Sequence, residues 1–494
     1  MIKKIRAYII NFLDSTKNIP WLIGLSAGIY PYLKYYNSNF TLINSVRHFV
    51  AFALLFLIAP ILLSYFIKIA IAKRPRLKKF EMLLFSLVNY SCFVLLAIIS
   101  VWGLETDILI VGLAIALALA FLLKNHLKKV IVFQLLMALL VAPRLIPNLY
   151  NQFLTTDNWL HLPDDILSVK FKETPNIYFI QPDGHVNQKT LENELYKSSS
   201  DLYEWLKENH FKVYDGFRSN YPSSVVSNAS IFAMKQHYFG ETFFPAIEMP
   251  RVRTVINGSN SVISILKNNG YANYFLAEDE YFQMDFAKNK YDYQNIAEKE
   301  ISLFSSGEDV VKDVYKDLEN ILSTHMESTK PKFFFIEKLL PHHVHFKKSV
   351  EDERHDYLIK IKEADIWVKK IVNLINEKDP NAIIILAADH GGWLGIENFD
   401  EFHSTTEKLL INSIFSTLCA IKWNGIENSK YDEELKTNVN LFRVLFSALS
   451  KNQTYLNHLE ENGSYQLRKR KIIGMSAYTV IDEKGNVVSE KLKN

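Results

Sequence analysis

The sequence predicts an α-helical transmembrane bundle of about five spans, followed by an α/β domain with a mostly parallel sheet sandwiched by helices. Three observations predict it. Nearly all the long uncharged stretches precede Tyr150, whereas Asp, Glu and Lys crowd the remainder of the 494 residues. Downstream, short apolar runs alternate with helix-like segments, the order that builds parallel sheets. Those runs also end in ionisable residues, as strands do at the active-site edge of such sheets.

Composition narrows the classes further. Hydrophobic residues at 49% and charged residues at 22% exclude a disordered chain. A formal net charge of +3 excludes bulk nucleic-acid binding, so no nucleic-acid partner is expected. Cys92 and Cys419 are the only cysteines, which excludes a disulfide scaffold and a Cys-rich zinc module. The expected division is a multi-span domain over residues 1–150, a linker over 151–175 and an extracytoplasmic domain over 176–494.

Residues 48–67 and 82–103 contain no Asp, Glu, Lys or Arg. Each is about 20 residues long, enough to cross a hydrocarbon core about 30 Å thick. Residues 108–123 and 130–149 are two further spans, the latter with Arg144 near one end, and 19–33 is the weakest because Lys34 follows it. Basic clusters precede the first span (Lys3, Lys4, Arg6) and separate the second from the third (Lys73 to Lys79) and the fourth from the fifth (Lys124, Lys128, Lys129). Glu105 and Asp107 occupy the link between the third and fourth. That alternation predicts a cytoplasmic amino terminus and a downstream domain outside the cytoplasm. The run 7–13 ends at Asp14 and is too short for a cleaved signal peptide.

In the second half, 176–181 reads as a strand ending at Pro182 and 200–209 as a helix capped by Ser200. Residues 211–217 read as a strand, with a helix after Ser224. Residues 261–269 read as a helix stopped by Gly270 and 272–277 as a strand. Residues 332–340 read as a strand, 352–376 as a long amphipathic helix and 382–388 as a buried strand. Residues 438–450 suit an amphipathic helix, and 478–488 a hairpin turning at Lys484-Gly485-Asn486.

Three of these segments carry chemistry. Asn-Ile-Tyr-Phe-Ile-Gln-Pro-Asp-Gly-His puts Asp183 after the first strand. Ala-Ile-Ile-Ile-Leu-Ala-Ala-Asp-His-Gly-Gly puts Asp389 and His390 at the tip of a doubly buried one. Asn-Tyr-Pro-Ser-Ser-Val-Val-Ser-Asn-Ala-Ser puts Ser223 and Ser224 where a loop enters a helix. Two carboxylates and an imidazole suit a divalent cation. A helix-terminal hydroxyl beside that cation suits a nucleophile, and the free amides there favour an anion. Singly, Asp183-Gly184 also reads as a turn and Ser223-Ser224 as an N-cap. An ionisable pair ending an apolar strand, however, needs a partner.

On these motifs the sequence resembles the alkaline phosphatase and sulfatase superfamily. Within it, the sequence is similar to the membrane-bound branch of phosphoethanolamine transferases and lipoteichoic acid synthases. The resemblance covers about residues 176–425 and the pattern of spans. It implies an alkaline phosphatase-like fold and a sulfatase-like catalytic domain. It further implies one or two divalent ions (Zn, Mn or Mg) on Asp183, Asp389, His390 and Ser224, with Ser224 as nucleophile and Ser223 as the one-residue alternative. Pro341-His342-His343-Val344-His345-Phe346 loosely resembles the His-x-Pro-Phe segment of that family, which implies that His343 contacts substrate. His403, in Asp400-Glu401-Phe402-His403-Ser404, matches the place of a substrate-contacting or second-metal histidine. Both histidines also read as members of solvated loops, and Asp279 and Glu280 follow a strand without spacing that singles them out.

Two departures bear on the reaction. Sulfatases need Cys or Ser followed by x-Pro-x-Arg for conversion to formylglycine, and here Ser224 precedes Val225-Val226-Ser227-Asn228. The phosphoethanolamine transferases usually carry disulfides, which Cys419 alone cannot form. The expectation is transfer of a phospho-substituent (phosphoethanolamine or phosphoglycerol) from a membrane lipid donor to an envelope glycan or glycolipid acceptor through a covalent Ser224 intermediate. The resemblance places the protein in a bacterial inner or plasma membrane. The alternatives are a sulfatase-like hydrolase or phosphodiesterase using water, and a non-catalytic envelope protein that keeps the fold.

Overall fold

The computed structural model describes residues 2–154, 158–237, 252–324, 329–469 and 475–492. The chain divides into two compact units, Met1–Leu154 with Ser302–Ser306, and Thr155–Ile301 with Gly307–Asn494.

In the first unit, helices occupy all five predicted segments. Three helical stretches are long and apolar enough to cross a membrane: Val46–Lys73 (28 residues), Pro75–Trp102 (28) and Thr106–Arg144 (39). They make the chain an integral membrane protein. The last stretch carries two of the predicted spans, Thr106–Leu123 and Leu127–Val141. Between them the basic link Lys124–His126 is a 3-10 turn rather than an open loop. The weakest prediction, 19–33, becomes the 20-residue helix Pro20–Asn39, which runs past Lys34. A buried amide pair ties three helices together. Asn89 Nδ2 donates to Gln134 Oε1 (3.1 Å), Ser26 Oγ (3.1 Å) and the Ile23 carbonyl (2.8 Å), and Gln134 Nε2 donates back to Asn89 Oδ1 (3.0 Å). With no water to bond in hydrocarbon, amides satisfied in this way join helices. At one end Tyr35, Phe52 and Phe304 form an aromatic cluster.

The second unit is built on a seven-stranded sheet. Its strands are β1 (Ile177–Pro182), β2 (Lys212–Val213), β3 (Ala272–Leu276), β4 (Tyr293–Gln294), β5 (Lys332–Lys338), β6 (Ile383–Ala387) and β7 (Cys419–Lys422), in the order β2-β7-β6-β1-β5-β3-β4. The β6-β1-β5-β3-β4 pairings are all parallel, and β7 runs antiparallel to both β6 and β2. Residue alternation loads both faces. Tyr178, Ile180, Phe334, Ile336 and Leu386 join one core. On the other face Phe335 stacks between Phe179 (5.3 Å) and Phe275 (5.0 Å), with Phe232 against its edge (4.9 Å). The 29-residue helix Val350–Lys378 starts at Ser349, whose hydroxyl accepts from the Asp352 amide, and buries Ile361, Val368, Val372 and Ile375. Ser200 is not the residue at the helix boundary: that helix is Leu202–Glu208, and the Ser200 hydroxyl both accepts from the Leu202 amide and donates to Asp365. The expected strand 211–217 shrinks to two residues. A second sheet, β8 (Ser464–Lys469), β9 (Met475–Ile481) and β10 (Val487–Lys491), is antiparallel and includes the expected hairpin. The carboxyl ends of β1, β5 and β6 lie side by side and present the loops that carry Asp183, the 341–346 histidines and Asp389-His390.

Candidate active site

Asp183 leaves β1 with its amide still paired to the Lys338 carbonyl (2.9 Å). Gly184 then turns at φ +69°, and a Cβ there would meet the His342 backbone at 2.9 Å, so only glycine lets the two strand-end loops approach so closely. Asp389 and His390 follow β6 and are 1% and 0% exposed.

The nucleophile candidate comes from helix Ser224–Ala233. Two ties fix the helix to the sheet: Ser227 Oγ donates to the Asp389 carbonyl (2.7 Å), and Asn228 exchanges amide hydrogen bonds with Gln181 of β1 (2.9 and 3.0 Å). Ser223 is the N-cap residue, yet no side chain caps the first turn. Ser224 therefore starts the helix with its hydroxyl turned to the strand ends, 3.3 Å from Asp183 Oδ1 and 3.1 Å from His390 Nε2.

His390 Nδ1 lies 2.8 Å from the Gly391 carbonyl, which only an N–H can satisfy, so Nε2 is the nitrogen that faces Ser224, Asp183 Oδ1 (3.2 Å) and Asp389 Oδ2 (3.6 Å). Asp389 Oδ1 accepts from the amides of His390 (3.0 Å) and Gly184 (3.4 Å), whereas Oδ2 is buried with no hydrogen bond. Ligand atoms of Asp183, Asp389 and His390 all lie within 4.8 Å of one another. Two carboxylates, one imidazole with its outer nitrogen fixed by a carbonyl, and one hydroxyl around an orphaned buried oxygen fit a divalent cation.

Electrostatics agree with that fit. Burial opposes charge on His390, but the carboxylates of Asp389 and Asp183 push it up to about 9. Burial would raise Asp183, yet the imidazoles of His342 and His390 hold it well below the usual carboxylate range. Burial raises Asp389 to about 6, with His390 opposing and Asp183 adding to the rise. In the absence of a cation these carboxylates favour a proton on His390, which a bound cation would displace.

The residues open onto a cleft of about 630 Å³. His343 lines it, its ring stacked on Trp393 at 3.7 Å. His342 is the histidine that bonds Asp183, through Nδ1 to Oδ2. Trp393 sits at φ +60° and donates Nε1 to the Pro222 carbonyl (3.0 Å), tying the loop before Ser224 to the residues after His390. The far wall holds Asp279, pushed up to about 7 mainly by burial, and Glu337, raised well above its ordinary value by burial and by Asp279. Glu280 points elsewhere and accepts from the Asp309 and Val310 amides. His403 lies outside the cleft lining, with Nδ1 3.0 Å from the Leu467 carbonyl of β8. Sequence reasoning missed His342, Trp393 and Glu337. Only His342 had a local signal, as part of the strand-end histidine run.

Gly391 holds the Asp-His pair against the neighbouring segment, because a Cβ there would lie 2.2 Å from the Ser413 carbonyl oxygen. Backbone cannot yield as a side-chain tip does. Gly391→Ala is therefore expected to destabilise the second unit by about 1–3 kcal/mol in thermal or denaturant unfolding, and to weaken cation binding.

The sequence model of the sulfatase family matches residues 193–450. Solved structures similar to the chain include the zinc complex of the C-terminal periplasmic domain of EcEptC from Escherichia coli (12% identity, 63% of this chain and 93% of that one, TM-score 0.42). Others are the lipoteichoic acid synthase LtaP from Listeria monocytogenes (13%, 66% and 91%, TM-score 0.41) and the integral membrane protein lipooligosaccharide phosphoethanolamine transferase A (EptA) from Neisseria meningitidis (11%, 86% and 96%, TM-score 0.41). No curated protein sequence matches it. With its matched segment spanning more than half of the 494 residues, the chain belongs to the sulfatase family.

Proposed function

We propose that the protein is a membrane-anchored, metal-dependent transferase that moves a phosphoethanolamine- or phosphoglycerol-type group from a phospholipid to a cell-envelope glycan or glycolipid. The observation that carries this reading is the Ser224 hydroxyl at an uncapped helix start, 3.3 Å from Asp183 Oδ1 and 3.1 Å from His390 Nε2.

Asp183, Asp389, His390 and the Ser224 hydroxyl would hold a divalent ion of the zinc, manganese or magnesium class. Such an ion lowers the pKa of a bound hydroxyl and neutralises charge on phosphoryl oxygens. The chain's own residues do the rest. Ser227 and Asn228 keep the helix start fixed, so Ser224 Oγ needs no reorganisation to reach phosphorus. Its first-turn amides favour the anionic oxygens. His343, held flat against Trp393, borders the space where those oxygens fit. In the first half-reaction Ser224 Oγ forms a bond to phosphorus, the bond to the lipid alcohol breaks, and the serine proton ends on the departing alcohol. In the second, an acceptor hydroxyl forms the new bond, the Oγ–P bond breaks, and the acceptor's proton returns to Ser224.

Two features support transfer over sulfate ester hydrolysis. Ser224 lacks the x-Pro-x-Arg signal for formylglycine, and an unmodified serine suits in-line phosphoryl transfer. Spans keep the enzyme in the membrane that holds its donor, and the basic links at Lys73–Lys79 and Lys124–Lys129 support a catalytic region outside the cytoplasm. The test is incubation of the purified protein in vesicles with head-group-labelled phosphatidylethanolamine or phosphatidylglycerol and an envelope glycan fraction. Label is expected on the glycan. Free labelled head group with an unlabelled glycan would identify a hydrolase instead.

A further inference from the structure

We propose that a second cavity beside the cleft is the acceptor subsite, and that it takes a neutral sugar residue of the envelope glycan or glycolipid. This rests on the reading of Ser224 as a transferase nucleophile. It deepens that reading by separating where the acceptor is held from where phosphorus is attacked.

The cavity has a volume of about 390 Å³, within the range of small-molecule sites. One side is the segment 343–348 after β5, and the other is the helix Val350–Lys378. From that helix Glu353, Asp356, Tyr357, Lys360 and Glu363 line it, a spacing of three and four that puts them on one face. His343, His345 and Lys360 line both this cavity and the cleft that holds Ser224 and His390, so the two spaces share a wall. That wall sets one end of an occupant beside the cleft in which Ser224 stands.

Charge in the cavity is balanced: Lys347, Lys348 and Lys360 are matched by Glu353, Asp356 and Glu363. Lys348 is paired with Asp356 (2.5 Å), and Glu353 accepts from the Lys347 amide (2.9 Å). Lys347, Lys360 and Glu363 form no ion pair among the described residues. Two ammonium groups and one carboxylate are thus left to border a floor of Val344, Tyr357 and Ile359. Tyr357 commits its hydroxyl to the Gly184 carbonyl (2.7 Å), and Ile359 is 45% exposed, apolar surface without a cover.

An apolar floor edged by donors and acceptors suits a sugar ring, whose faces carry C–H groups and whose hydroxyls project sideways. Hydrogen bonds from those hydroxyls to charged groups are the stronger kind. A phosphate or carboxylate would meet as many anions as cations. An acyl chain would strip water from the charged edge without replacing its hydrogen bonds.

The two half-reactions separate the two spaces experimentally. Lys347→Ala removes one unpaired ammonium and Ile359→Trp fills the floor; both residues are exposed and neither lines the cleft, so the fold is expected to survive. In vesicles, the full-length protein is loaded from head-group-labelled phosphatidylethanolamine or phosphatidylglycerol without acceptor, and the Ser224 adduct is then discharged with the glycan fraction. Adduct formation is expected within about 2-fold of wild type in both variants, whereas discharge at limiting glycan falls about 10-fold or more, as for loss of a hydrogen bond to a charged group. Neutral oligosaccharides released from the glycan fraction should inhibit wild-type discharge. Discharge unchanged in both variants, or lowered no more than adduct formation, overturns the subsite. Inhibition by inorganic phosphate but not by neutral oligosaccharides overturns its assignment to a neutral sugar. A wild type that forms no adduct defeats the transferase reading instead. Neutral oligosaccharide binding that Ile359→Trp abolishes would then still sustain the sugar site, and no binding would remove both.

Discussion

Ser224→Ala is expected to reduce head-group transfer by at least about 10³-fold, as loss of a catalytic nucleophile does, with the fold intact. The helix it begins does not depend on its hydroxyl. Ser227 and Asn228 tie that helix to Asp389 and Gln181, and alanine is well tolerated in a first turn. Asp183, Asp389 and His390 remain to hold the cation. The adjacent Ser223→Ala is expected to change activity by less than about 10-fold, because its side chain makes no capping bond that the helix start relies on. Initial rates with labelled donor, alongside thermal unfolding of each variant, check both. The reverse pattern, with the large loss in Ser223→Ala and Ser224→Ala largely active, would shift the nucleophile to Ser223.

Asp389→Asn is expected to weaken cation binding by at least about 100-fold, since loss of a direct ligand exceeds the effect of outer-shell changes, and to abolish transfer with it. The change is nearly isosteric and alters a carboxylate one of whose oxygens, Oδ2, is buried with no hydrogen bond. It also alters the pH dependence of the metal-free protein in a calculable direction. His390, ordinarily near 6.5, is pushed up to about 9 in the folded chain, first by Asp389 and then by Asp183 against the effect of burial. Its contribution to stability is therefore fully present below pH 6.5 and lost as pH rises through about 9. The lowered Asp183 acts in a different window, stabilising above its ordinary 3.8 and failing as pH falls. Asp389→Asn removes the larger support of the imidazolium, so the alkaline loss of stability should begin at lower pH. Unfolding midpoints between pH 6 and 10, measured with chelator, check the shift.

Much of the architecture was legible because it lies in local pattern. Apolar runs ending in Asp183 and in Asp389-His390 mark strands buried on both faces, and period-two alternation in Ile177–Pro182 and Lys332–Lys338 loads both cores. The convergence of Asp183, Ser224, Asp389 and His390 follows from the adjacency of β1 and β6 and from a helix that begins at Ser224. What escaped was set by contacts distant in sequence. Which histidine of 341–346 reaches Asp183 depends on the loop path, where His342 and Phe346 take positive φ, and no spacing rule separates His342 from His343. Trp393 gained its place through His343 and Pro222, about 50 and 170 residues away in the chain. The resemblance implied a substrate-contacting or second-metal role for His403, whereas its ring lies against the Leu467 carbonyl of β8, a partner that no local spacing reveals. The basic link Lys124–His126 has the composition of a loop, and its conformation as a 3-10 turn is a tertiary outcome.

The account's central claim is that Ser224 carries the transferred group. The most direct measurement is peptide mass spectrometry of the protein after incubation with phospholipid donor and no acceptor. The account predicts a phosphoethanolamine or phosphoglycerol adduct on Ser224 that disappears when acceptor is added. Turnover without an adduct there, or with the adduct on another residue, would contradict it.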